Sequence, residues 1–124
     1  RFGSLAQSLH IPDRGAPKDR FHEFRIEIKK CRYVLETLHH LGLVKDQPHE
    51  RLRKVQSALG RAHDLEVLRQ YTRALSPGRP SPWLRPLERE ERSNLTEAIR
   101  LARQAAPQAR RALSRVARRF EANP

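Results

Sequence analysis

The chain of 124 residues is long enough for one modest core and too short for two. Lys and Arg number 26 against 14 Asp and Glu, a formal net charge of +12, and 21 of the 26 cations are arginine. So large an excess opposes compaction unless a polyanion lies near, and guanidinium forks suit phosphate or carboxylate oxygens, which makes polyphosphate, nucleic acid and an anionic membrane surface the partners to weigh. The single cysteine, Cys31, excludes an internal disulfide and a multi-cysteine metal site and fits a reducing compartment. No apolar run approaches the roughly 18 residues that would span a bilayer, so the chain is read as soluble and cytoplasmic.

Taken in chain order, residues 1–17 lack a long period and contain Pro12, Gly15 and Pro17; they read as a loop or as the tail of a preceding element. The abrupt start at Arg1-Phe2-Gly3, without an initiating Met, leaves open that the chain is a fragment. A first long helix is predicted over 18–42, with Phe21, Phe24, Ile28, Cys31, Leu35 and Leu38 on one face and Gly42 positioned to end it in the left-handed conformation. A second is predicted over 48–75, opened by Asp46-Gln47-Pro48 and closed by Ser76-Pro77-Gly78. Its apolar face runs through Leu52, Val55, Leu59, Ala62 and Leu65, with Val67, Leu68 and Tyr71 expected to widen the buried side.

Ser81-Pro82 supplies a cap and first turn for a helix over 82–106, whose early Glu88, Glu90 and Glu91 suit the positive end of the helix dipole. Pro107 then either kinks this helix or separates it from another over 107–121. In that last stretch Ala109, Leu113, Val116 and Phe120 oppose Arg111, Arg115, Arg118 and Arg119. No strand-like alternation appears. The fold class is all-α: a bundle of three to four helices with long antiparallel members.

On the first long helix, His22, Arg25, Lys29, Arg32, Tyr33 and Glu36 project within roughly a 100° sector, away from the Phe24/Ile28/Cys31/Leu35 face. Like charges three or four residues apart repel by a few tenths of a kcal/mol per pair, so a cationic file calls for compensation. Glu36 can serve Arg32 or Lys29, whereas Glu23 and Glu27 point to the far flank. A solvated basic face is the plain reading. The histidine that begins the file and the tyrosine that closes it, both able to hydrogen-bond oxyanions, argue for more.

The pattern H-x-x-R-x-x-x-K-x-x-R-Y resembles the leading helix of the conserved histidine α-helical domain, the CHAD family. Residues 52–65, LRKVQSALGRAHDL, are similar to that family's second motif, with Gln56, Leu59-Gly60 and Asp64-Leu65 at matching spacing. His63, where the family commonly carries a small polar residue, and Cys31, at a position often basic or apolar, depart from it without touching the file. The resemblance implies an all-helical domain of two similar four-helix halves around a basic groove or pore that binds inorganic polyphosphate. This chain looks like one half, closer to the second, so a second CHAD half or another copy of the chain is an implied partner.

Polyphosphate offers oxygens and no bases, so its recognition needs rows of donors. On that reading Arg25 and Arg32 grip neighbouring phosphoryl groups, Lys29 adds a mobile charge, His22 a further donor, and Tyr33 donates or orients an arginine. Lys54 and Arg61 extend the cationic surface or are simply exposed, and Arg111, Arg115 and Arg118 of the last helix join it. Gly60 is expected to admit a close neighbouring backbone, and Asp64 to anchor an arginine or a helix end.

His22, His39, His40, His49 and His63 form no zinc-type pair at four-residue spacing, and His63-Asp64 alone is a weak metal signal; neither a metal nor a cofactor is expected. With no nucleophile elbow, triad or phosphate loop, and with Cys31 on the apolar face, a binding module is favoured over an enzyme, with polyphosphate granules as a location. Nucleic acid is the alternative partner, disfavoured because most aromatic residues are assigned to core stripes. A membrane-surface role for the last helix ranks lowest, since the core needs its apolar face.

Overall fold

A computed structural model describes residues 2–120, which form four helices packed antiparallel and no strand. These are α1 (Phe2–Gln7), α2 (Lys18–His40), α3 (Pro48–Leu75) and α4 (Leu84–Phe120). Arg1 and the predicted last helical residue, Glu121, lie outside the described residues.

The six apolar positions assigned to α2 are all buried, with Ile28, Cys31 and Leu35 fully enclosed. The helix ends as expected. Gly42 takes φ 76°, and the reversed bonds Gly42 N–H to His39 O (3.0 Å) and Leu43 N–H to Leu38 O (2.9 Å) satisfy carbonyls that the last turn would otherwise leave bare. Burial pushes the Cys31 thiol up to about 12, and its sulfur lies 3.9 Å from the Leu5 carbonyl, so it is a core thiol without nucleophilic character.

One reading of the chain ends is corrected and one open alternative is decided. The N-terminal segment contains α1, a six-residue helix too short to show a period in sequence, whose partly buried Phe2 and Leu5 pack on the core with buried Ala6. The Arg110 guanidinium donates to the Leu9 carbonyl and Arg20 to that of His10, and the Ser8 hydroxyl reaches Glu27 at 2.9 Å, which ties this segment across α2 and α4. Secondly, α4 passes through Pro107 as one helix. Pro107 is exposed while Ala105, Ala106 and Ala109 are buried, so the carbonyl that loses its intrahelical donor faces solvent and water can satisfy it.

In α3, Leu52, Val55, Leu59 and Ala62 are buried, but the expected widening beyond them does not occur: Leu68 is 50% and Tyr71 65% exposed. α2 begins at Lys18, which is level with Glu66. Past that point α3 has α4 for a neighbour and no third helix to close the core. The tie there is ionic. Arg69 and Glu91, both buried, form a two-pronged pair at 3.1 and 3.3 Å, and Lys18 stands 3.5 Å from Glu91.

Candidate functional site

The expected file on α2 exists, but its members differ in what holds them. Arg32 is half-buried and turned inward: Nε donates to Gln56 Oε1 and Nη1 to Glu36 Oε2, each at 2.7 Å. Glu36 also receives Arg53 at 3.1 Å, so α2 and α3 are joined by an Arg–Glu–Arg arrangement with Gln56 at its edge. Arg32 is thus a structural tie along the α2–α3 seam before it is a donor for a ligand. Arg53, absent from the sequence-based set, is the α3 cation that faces α2.

His22, Arg25, Lys29 and Tyr33 make no ion pair or hydrogen bond among the described residues. Lys29, His22 and Tyr33 are exposed, Tyr33 to 67%, and Arg25 is half-buried. From His22 to Tyr33 the file covers about 16 Å at the helical rise. At its start, His22 and Arg25 border a small cleft of about 50 Å³ with Lys18, His63 and the carboxylates Glu66 and Glu91. Those carboxylates are engaged elsewhere, Glu66 with Lys18 and Glu91 with Lys18 and Arg69.

Lys54 and Arg61 do not extend this file. Around α3, Gln56 and Arg53 mark the side facing α2, and the 100° helical step puts Lys54 and Arg61 some 140–160° from Gln56, on the flank toward α4. Arg61 there donates to Asn94 of α4 at 3.1 Å. Arg111 and Arg115 line a cleft of about 690 Å³ with Lys45, Arg51 and Arg119. Arg118 is exposed and does not border it. The ten proposed residues therefore form no single surface: His22, Arg25, Lys29, Arg32 and Tyr33 share α2, Arg111 and Arg115 line the cleft, and Lys54, Arg61 and Arg118 border neither the file nor that cleft.

Two supporting roles are also revised. A Cβ placed on Gly60 would meet nothing within 4 Å, so this glycine accommodates no neighbouring backbone. Asp64 is exposed and makes no ion pair or hydrogen bond among the described residues; it anchors nothing, because it sits on the outer face of α3. The histidines at the other end of α2 are structural: His39 Nδ1 lies 2.9 Å from the Val44 carbonyl and its ring is 5.3 Å from that of His49, where burial disfavours the charged form. No cluster of three or more His, Cys, Asp or Glu among the described residues could hold a metal ion, and no helix among them is long and apolar enough to cross a membrane.

The CHAD domain model matches residues 4–73, more than half of the chain, and spans both the file and the LRKVQSALGRAHDL segment. The chain belongs to the CHAD family. No curated protein and no solved structure matches it. The matched part of this CHAD domain is most of α1, all of α2 and nearly all of α3, so the basic cleft beside the end of α4 draws most of its cations from outside the match.

Proposed function

We propose that this CHAD domain binds inorganic polyphosphate along the outer face of α2, as a binding module without catalysis. One observation carries the reading: Arg25 and Lys29, one turn apart on a helix inside the CHAD match, have no carboxylate partner among the described residues, although like charges at that spacing repel. A phosphate polymer lying along the helix relieves that repulsion. His22 and Tyr33 flank the pair as exposed hydrogen-bonding groups, and Arg32, held by Glu36 and Gln56, contributes field more than direct grip. The site is a row, not a pocket, which suits a ligand whose repeat is a charged oxygen cluster.

Arg25→Glu with Lys29→Glu is expected to abolish binding of long-chain polyphosphate while helicity by circular dichroism stays near native. Undiminished affinity in that variant overturns the reading. Wild-type affinity should fall steeply with salt, as for proteins that displace counterions from nucleic acid.

Nucleic acid stays the second reading because of one finding: Tyr33, Tyr71, Trp83 and Phe120 are exposed, contrary to the assignment of most aromatic residues to the core. Tyr71, near the end of α3, and Trp83, just before α4, lie away from the file, whereas Tyr33 stands on it and Phe120 lies under Arg119. Competition decides between them: polyphosphate displacing RNA or DNA at equal charge favours the first reading, and the reverse favours the second.

A further inference from the structure

The cleft at the C-terminal end of α4 differs in shape and in electrostatics from the row on α2. Three segments converge on it: Lys45 and Asp46 from the α2–α3 loop, Arg51 from the first turn of α3, and Arg111, Arg115 and Arg119 from α4. Five cations therefore face one carboxylate, an excess of four charges around about 690 Å³, a volume in the range of small-molecule sites. None of the five makes an ion pair or a hydrogen bond among the described residues; Arg119 alone has a companion, the Phe120 ring beneath its guanidinium at 5.1 Å.

One further feature points the same way. The N-terminus of α3 opens on the cleft at Pro48, and its preceding residue, Gln47, makes no side-chain capping bond, so the positive end of a 28-residue helix dipole adds to the field. Leu43 and Val44 of the α2–α3 loop and Val116 of α4 add an apolar part to the lining. Cations that repel one another across a concave space, with fold-internal partners lacking, are arranged for a compact anion.

We infer that this cleft is a second anion site, independent of the α2 file, which takes a short oligophosphate group held between Arg111, Arg115 and Arg119 of α4 and Lys45 and Arg51 opposite. The inference goes beyond the polyphosphate reading and does not depend on it. Forks converging from three segments on one cleft match adjoining phosphoryl groups gathered in one place, where the row along α2 matches an extended polymer. The shared chemistry is the oligophosphate. It can come free, as inorganic triphosphate, or as the tail of a nucleotide whose base lies on the Leu43/Val44/Val116 wall.

Isothermal titration of the full chain with inorganic triphosphate and, separately, with ATP tests this. Saturable binding at one site is expected, weakened about tenfold or more by Arg111→Glu with Arg115→Glu and left within about twofold by Arg25→Glu with Lys29→Glu. Tighter binding of ATP identifies the nucleotide form, and equal or tighter binding of inorganic triphosphate the free one; either supports the site. The proposal is overturned if neither ligand saturates, if the cleft variant keeps its affinity, or if both double variants lose it equally. Should the glutamate variant lose its helicity, Arg111→Gln with Arg115→Gln preserves side-chain length and must show the same selective loss.

Discussion

Where α2 meets α3 and where both meet the start of α4, most cations have company: Arg32 and Arg53 share Glu36, Lys18 sits between Glu66 and Glu91, and Arg69 is locked to Glu91. At the end of α4, Lys45, Arg51, Arg111, Arg115 and Arg119 face a cleft with no ion pair among them. Both regions are arginine-rich, but the first holds Glu36, Glu66 and Glu91 and the second only Asp46. Their difference lies in where the acids fall, so the excess charge of this chain is concentrated where carboxylates are missing. Arg25 and Lys29 are the exception on the first side, unpaired within a paired neighbourhood, and the proposed polyphosphate reading rests on that exception.

The comparison makes opposite forecasts for similar substitutions. The largest effect is expected from Glu91→Ala, which strands buried Arg69 and should lower unfolding free energy by about 3 kcal/mol or more in chemical denaturation. A loss under 1 kcal/mol would mean that Glu66 and water suffice for Arg69, and this corner would not be ionically tied as described. Next in size, Arg32→Ala removes two charge-assisted bonds and should cost about 1–2 kcal/mol by the same measurement. The smallest effect has the reverse sign. Arg115→Ala takes away a like charge four residues from both Arg111 and Arg119 and should raise stability by about 0.2–0.5 kcal/mol at low salt, the gain shrinking as salt is added. If Arg115→Ala destabilises instead, that arginine is held by the fold, and the contrast between the two regions fails.

Much of this architecture was legible in the residues. The α2 core stripe, the Gly42 stop, the Pro48 start and the end of α3 at Leu75 follow from local rules that need no neighbours. α1 was not legible, because one and a half turns cannot show a period. The burial of Tyr71 and Leu68 was misjudged for a different reason: their spacing continues the α3 stripe, but α2 does not reach far enough to cover them. Within the site, the file on α2 could be read as a pattern. That Arg32 would turn into Glu36 and Gln56, while Arg25 and Lys29 stay free of partners, could not, since Gln56 arrives from another helix. Arg119 was within reach of pattern alone, following Arg111 and Arg115 at steps of four, whereas Lys45 and Arg51 join them only because the α2–α3 loop folds beside the end of α4.

Local chemistry alone, then, determines that this chain is helical, strongly cationic, and carries a file of cations along one helix, because periodicity, capping and charge spacing act over a few residues. Which arginines remain available is settled by tertiary structure. An ion pair between helices depends on how far each extends and how it is rotated, and those quantities come from packing the whole core at once.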